Sequence, residues 1–321
     1  DYLPKPRLSK SVVILPLITN MSKKPFAKPR VIVIVGPTAS GKSDLAVSIA
    51  KLVNGEIISA DSRQVYRGLD IGSGKITKRE MRGVPHYLLD VASPRRTFTV
   101  TRYQRLAAHA IKNILHRGKI PVITGGTALY IDALLYNYKF PDVKPDAQLR
   151  KKLGSQSIEQ LFSQLQQLDP ARAATSERHN PRRLVRALEI VIGSGAPVPA
   201  LKKESPYDAI KIGIAASQEE LAKNIHTRLV KRLKHGLTKE VRALLMNGVS
   251  FKRLDDLGLE YRWVSRYLHM QVSKEEMGEQ IEKESLQYAK RQMIWWKRDK
   301  EIQWMSKEEV IGYVVIQLAE K

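Results

Sequence analysis

Five apolar residues in a row, Val31-Ile32-Val33-Ile34-Val35, run without a break into Gly36-Pro37-Thr38-Ala39-Ser40-Gly41-Lys42-Ser43. An unbroken β-branched run is the pattern of a strand buried on both faces, as in a parallel sheet. The eight residues after it match G-x-x-x-x-G-K-[ST] at every fixed position. From Asp44 to Val53 the apolar residues Leu45, Ile49, Leu52 and Val53 share one helical face, and Gly55 lies just past the end. Strand, glycine-rich loop and helix in that order predict a P-loop, whose backbone N–H groups close around a phosphate at the positive end of the helix. Gly36 and Gly41 permit the close wrap, Lys42 adds a full charge, and the Ser43 hydroxyl is a candidate Mg2+ ligand. The motif leaves the phosphate's owner open, since a mononucleotide, a diphosphate ester and a phosphorylated metabolite are held alike.

The pattern continues as alternating strands and helices. Glu56 to Ala60 reads as a second strand ending at Asp61, and Pro85 to Val91 as a third. Val100 to Arg117 is helical, with Tyr103, Leu106, Ala107, Ala110, Ile111, Ile114 and Leu115 at helical spacing before Gly118. Ile120 to Thr124 is a strand stopped by Gly125-Gly126, and Thr127 to Tyr136 is a helix. This predicts an α/β fold, a P-loop-type parallel sheet flanked by helices. After Phe140-Pro141-Asp142-Val143-Lys144-Pro145 the pattern becomes almost purely helical and arginine-rich until the Gly-, Pro- and Ser-rich stretch from Gly193 to Pro206; Ala209 to Ala215 then reads as a return strand. The division expected is a basic tail at 1–30, a core at 31–139 and 207–321 ending in helices, and a helical insertion at 140–206.

Charge and composition narrow the class of partner. Lys and Arg total 55 against 32 Asp and Glu, a net charge of +23, which predicts attraction to a polyanion, nucleic acid first. With no cysteine, disulfides, thiolate metal sites and a cysteine nucleophile are excluded. The apolar stretch Val12 to Ile18 is too short to span a bilayer and is interrupted by Pro16, so no membrane attachment is expected. Met21 looks like an ordinary start, and residues 1–20 are read as upstream sequence or a leader, outside the fold.

Three further segments, taken with the P-loop, carry a resemblance. They are Ser59-Ala60-Asp61-Ser62-Arg63-Gln64-Val65-Tyr66-Arg67-Gly68-Leu69-Asp70-Ile71-Gly72, Gly125-Gly126-Thr127-Ala128-Leu129-Tyr130, and Ala289-Lys290-Arg291-Gln292-Met293-Ile294-Trp295. In this order the four closely resemble the tRNA dimethylallyltransferase family, over nearly the whole chain from about Val31 to Trp304. The resemblance implies transfer of a dimethylallyl group from dimethylallyl diphosphate to N6 of the adenosine beside the anticodon, with diphosphate as leaving group. It further implies a cytoplasmic, monomeric enzyme that grips the tRNA anticodon stem-loop.

Read against that chemistry, Lys42, the loop N–H groups, Ser43 and Mg2+ suit a diphosphate whose charge grows as the allylic C–O bond breaks. Asp61, at the carboxyl end of a strand, is the candidate general base, with metal ligation or helix capping as the ordinary roles of such a residue. Thr127 is a candidate to bind diphosphate or orient the amine, or else an N-cap. By resemblance Ser62, Arg63 and Gln64 belong to the region of the target base. Arg150, Arg182, Arg183 and Arg186 resemble the family's basic positions of the insertion, and Tyr261 with Arg262 its Gly-Tyr-Arg segment, although Glu260 stands where glycine is usual. Lys290, Arg291, Gln292, Trp295 and Lys297 mix cations with aromatics, a pattern suited to a nucleic-acid backbone and stacked bases. Leu286 and Ile294 replace an arginine and a threonine usual in the family. A prenyltransferase acting on free adenine nucleotides shares the same core motifs. A small-molecule kinase accounts for the P-loop but not for the basic C-terminal helix, and a non-catalytic RNA-binding protein has no need of Asp61, Thr127 and the loop together.

Overall fold

The computed structural model describes residues 28–201 and 204–319, so the expected tail, apart from its last three residues, lies outside the described residues. Those residues form two compact units, one made of 28–137 and 205–319, the other of Tyr138–Glu204. The first opens with β1 (Arg30–Val35), α1 (Lys42–Leu52), β2 (Glu56–Ser59), α2 (Lys78–Met81), β3 (His86–Tyr87), α3 (Val100–His116), β4 (Pro121–Thr124) and α4 (Ala128–Leu135). The second unit holds α5 (Ala147–Gly154), α6 (Ile158–Leu168), α7 (Pro170–Thr175) and α8 (Pro181–Ser194). The chain returns through β5 (Asp208–Ile214), then α9 (Gln218–Lys234), α10 (Leu237–Met246), α11 (Phe251–Leu257), α12 (Leu259–Leu268), α13 (Lys274–Trp296), β6 (Gln303–Met305) and α14 (Lys307–Ala319).

The six strands make one sheet in the order β3-β2-β4-β1-β5-β6, and every neighbouring pair is parallel. Alternation along β1 explains the layers. Val31, Val33 and Val35 face one core with Tyr103, Ala107 and Ile111 of α3 and Val241 of α10. Ile32 and Ile34 face the other with Leu45 and Ile49 of α1 and Val310 and Val314 of α14. Covering both faces is what an all-parallel sheet requires. No helix among the described residues is long and apolar enough to cross a membrane.

Two sequence expectations change and a third gains an element. Arg30 is not tail: it opens β1, is 5% exposed, and pairs with Asp208 on β5 at 2.9 Å. The strand expected from Pro85 to Val91 is only His86–Tyr87, because Leu88 and Asp90 take left-handed backbone. The C-terminal region is mostly helical, as expected, with one addition: Gln303–Met305 forms a sixth strand in register with Ile212–Ile214.

The second unit has a core of its own, built on Leu153, Leu161, Leu165, Leu184 and Leu188. Side-chain caps start all four helices, from Asp146, Ser157, Asp169 and Asn180. Glu189, 1% exposed, is held by Arg150 at 2.8 Å, by Arg186 at 2.5 Å and by the Asp146 amide at 2.8 Å. Although burial opposes ionisation, these three donors bring its carboxyl down to about 2.

Candidate active site

The carboxyl ends of three adjacent strands, β2, β4 and β1, deliver Asp61, Gly125-Gly126-Thr127 and the P-loop to one edge of the sheet. Gly41, with φ +79, is the N-cap of α1 and gives it no side-chain cap, so its first-turn N–H groups are left for a ligand. Ala39 also takes a left-handed backbone, φ +64, a conformation that costs a non-glycine residue about 1 kcal/mol or more. The loop is held in that shape from outside. Gln292 of α13 accepts from the Thr38 amide at 2.8 Å, and Asn224 of α9 donates to the Ala39 carbonyl at 3.2 Å.

A cavity of about 720 Å3 opens here, lined by Lys42, Ser43 and Asp61, by the loop of Ser73 to Ile76, by Asn224, Arg228, Lys231 and Arg232 of α9, and by His235 just after it. Lys42 donates to the Pro37 carbonyl at 3.1 Å. Burial and the nearby Arg228 lower its pKa to about 8, against an opposing pull from Asp61. Arg228 is lowered to about 10, by burial and then by Arg232. Among the described residues Arg228 has no carboxylate partner; its one hydrogen bond is from Nη1 to Thr38 Oγ1, 3.4 Å away. Two desolvated cations, Arg228 depressing the pKa of Lys42 and Arg232 that of Arg228, form a site short of an anion.

Asp61 Oδ1 accepts from the Arg63 and Gln64 amides at 2.8 and 3.3 Å, which fixes the carboxylate on the cavity wall. Thr127 is at the N-cap position of α4 without capping it. Its Oγ1 accepts from the Ser62 amide at 2.9 Å, tying the end of β4 to the residue after Asp61. Ser62 and Arg63 stay local: Arg63 Nε donates to the Leu257 carbonyl at 2.7 Å and Nη1 to Ser62 Oγ at 3.3 Å. Gln64 lines the cavity, bridging Ser59 Oγ at 3.1 Å and the Gly74 carbonyl at 3.2 Å.

Other expected contacts move inward. Gln292 is 4% exposed and joins the Thr38 amide to the Gly126 carbonyl, 2.8 Å on each side, so its amide is a strut between two loops and offers nothing to RNA. Tyr261 is 1% exposed and its hydroxyl is taken by Glu240 and the Ser73 amide, which removes it from any RNA-facing surface. Arg262 pairs with Glu284 at 2.8 Å, and Trp295 Nε1 donates to Asp132 at 2.9 Å. Lys290, Arg291 and Lys297 stand exposed on and just after α13, as do Leu286 and Ile294. Glu260, unexpected beside an anion site, is 8% exposed and forms an ion pair with Arg232. In the second unit Arg183 pairs with Glu177 at 2.5 Å, while Arg182 is exposed.

Sequence reading missed Asn224, Arg228 and Arg232. The signal was present: on α9 they form an i, i+4, i+8 row that flanks the buried row of Leu221, Ile225 and Leu229. It was masked by the other lysines and arginines of that helix.

Known proteins share this arrangement of sheet and loops. A family model described as IPP transferase matches residues 64–299. A tRNA dimethylallyltransferase of Pelotomaculum thermopropionicum is 39% identical over 288 residues, covering 88% of this chain and 92% of that protein. One from Bacillus pumilus is 38% identical over 313 residues, covering 92% and 98%. The solved full-length tRNA isopentenylpyrophosphate transferase of Bacillus halodurans superposes with a TM-score of 0.70 at 34% identity, over 91% of this chain and 98% of that one. A eukaryotic dimethylallyltransferase acting on tRNA gives 0.74 at 25% identity, over 87% and 74%. Matched along most of its length in both sequence and fold, the chain belongs to the IPP transferase family.

Proposed function

We propose that this chain is a tRNA dimethylallyltransferase, moving a dimethylallyl group from dimethylallyl diphosphate to N6 of the adenosine beside the anticodon, tRNA position 37, and releasing diphosphate. The observation that carries the reading is the convergence of Lys42, Arg228 and Asp61 on one cavity at adjacent strand ends. The donor's allylic C–O bond breaks with its electron pair leaving on the diphosphate, and the N6–C bond forms. The proton lost from N6 passes to Asp61. An exocyclic adenine amine is a weak nucleophile, its lone pair being delocalised into the ring, so alignment and a proton acceptor both matter. Lys42, Arg228 and the open N–H groups of α1 meet the charge that grows on the leaving group, in surroundings where they are already desolvated.

Thr127 keeps the Asp61 turn in place through Ser62, and Gln292 keeps the P-loop at a fixed offset from Thr127. No cluster of three or more His, Asp or Glu able to hold a metal occurs among the described residues. Ser43, on the cavity wall, is the residue that would hold a Mg2+ ion there. Such an ion supplies further neutralisation of the leaving group. The net charge of +23 and the exposed Lys290, Arg291 and Lys297 suit a tRNA partner, whose loop adenine must leave its stack to react. The same reading makes the protein a cytoplasmic monomer.

The test is a transfer assay with labelled dimethylallyl diphosphate, Mg2+ and, in parallel, unmodified tRNA or AMP. Label is expected on the anticodon-adjacent adenosine. Label on AMP alone would replace the acceptor, and label on neither would overturn the reading.

A further inference from the structure

One wall of the cavity is the loop after Asp70, and its backbone is gripped by groups that the chemistry above leaves unused. Glu240, in the first turn of α10, accepts from three successive amides: Asp70 at 3.0 Å, Ile71 at 2.6 Å and Gly72 at 3.1 Å. The Tyr261 hydroxyl donates to the same carboxylate at 2.9 Å and accepts from the next amide, Ser73, at 3.0 Å. A carboxylate in a nest of consecutive N–H groups is a strong, directional hold. Gly74 follows at once, in left-handed backbone with φ +61.

Opposite Gly74 stand the two guanidinium groups of α9. A Cβ on residue 74 would overlap Arg232 Nη2 and come within 3.0 Å of Arg228 Nη2. The bare backbone is therefore the surface against which both groups lie. Through Nη1 Arg232 is paired with Glu260, while Arg228 reaches Thr38 in the P-loop. A long side chain without a carboxylate partner needs some such support to hold one geometry.

We propose that Glu240, Tyr261 and Gly74 are positioning residues that aim Arg228 at the donor's diphosphate. The clamp fixes the wall and the wall fixes the guanidinium, while Glu240 and Tyr261 themselves lie behind the cavity lining. The identity of the anion rests on the prenyl-transfer reading; the clamp and the placement of Arg228 do not.

The test compares the full-length wild type with Gly74→Ala, Glu240→Gln, Arg228→Ala and the double variant Gly74→Ala/Arg228→Ala. Inorganic pyrophosphate affinity, donor KM and kcat, tRNA affinity and thermal unfolding are measured on each. Gly74→Ala and Glu240→Gln are each expected to weaken pyrophosphate binding and raise donor KM about tenfold, with tRNA affinity unchanged. In the Arg228→Ala background, Gly74→Ala should add almost nothing, because contacting residues that act through one another are not additive. Should Glu240→Gln fail to fold, Gly74→Ala and its cycle with Arg228→Ala still decide the matter. A merely structural clamp would lower the melting temperature and leave pyrophosphate affinity alone, which would overturn the proposal. So would a Gly74→Ala penalty that persists in full without Arg228, or a wild type that does not bind pyrophosphate. Wild type that binds pyrophosphate, with both variants weakened, but transfers no prenyl group would sink the donor assignment and leave the positioning role standing.

Discussion

Arginines in two regions of this molecule meet opposite fates. In the helical insertion, Arg150 and Arg186 close on one buried carboxylate, Glu189. On α9, Arg228 enters a cavity where its neighbours are Lys42 and Arg232, and among the described residues it pairs with no carboxylate. The first arrangement satisfies its charges internally and holds helices together. The second carries a desolvated charge that Glu260 and Asp61 offset only through space, without a direct ion pair, which marks a binding site more than a scaffold. Basic character alone does not distinguish them; the counter-ion does.

That contrast is strongest where bonds change. Replacing Asp61 by Asn is expected to lower kcat by about 10^2 to 10^4, the usual worth of a general base, with tRNA affinity retained. Single-turnover transfer would show it, and near-normal turnover would remove Asp61 from the role. Arg228→Ala should lower kcat/KM by about 10^2 to 10^3, the scale for one preorganised charge-stabilising group. Arg150→Ala, by contrast, should leave donor KM within about twofold while loosening the insertion. Equal losses of donor affinity in the two arginine variants would break the comparison.

The contrast also explains what could be read from the sequence. The strand, P-loop and first helix are local in the chain, so Val31 to Val53 announces its own geometry. The same holds for Asp61 and Thr127, each at the end of an apolar strand run. Arg228 is brought to the site by the packing of a distant helix, and its own segment reads as one more basic amphipathic stretch. Gln292 misleads for the converse reason, a polar side chain in a basic stretch looking like a surface group until its internal partners are known, and Tyr261, expected there by resemblance, is likewise held by internal partners. Strand β6 is three residues long and is defined by its pairing with β5 more than by its sequence.

Gln292 sharpens the comparison at an intermediate scale. One side chain accepts from the Thr38 amide and donates to the Gly126 carbonyl, and a Cβ on Gly126 would collide with it. Gln292→Ala should lower kcat/KM about tenfold by letting the two loops drift apart, while tRNA affinity changes little. A large loss of tRNA affinity with kcat intact would restore Gln292 to the RNA surface.

The lowered pKa of Lys42, about 8, makes donor affinity depend on pH. The ammonium form holds the diphosphate, so the lysine's contribution to affinity should fall by about half near pH 8, then more steeply. Binding near that pH should take up a proton, because the arriving anion raises the lysine again. Pyrophosphate calorimetry in buffers of different ionisation enthalpy measures this directly, and Lys42→Met should abolish it.

The smallest effect on transfer is expected from the insertion's own ion cluster. The Arg150 and Arg186 guanidinium groups hold the Glu189 carboxyl down at about 2, below its ordinary 4.5, so the cluster contributes stability in full above about pH 4.5 and loses it as pH falls through about 2. Glu189→Gln removes that acid sensitivity along with the charge. Because Arg150 and Arg186 have side chains 44% and 37% exposed, they can return to water, and the cost should stay near 1–2 kcal/mol, below the figure for a fully buried pair. Hydrogen exchange within residues 138–204 would report the loosening and donor KM should not move. A shift in donor KM would mean that the insertion's arginines, like Arg228, act on the diphosphate, and the distinction between a charge that builds the fold and one that waits for a ligand would fail at these positions.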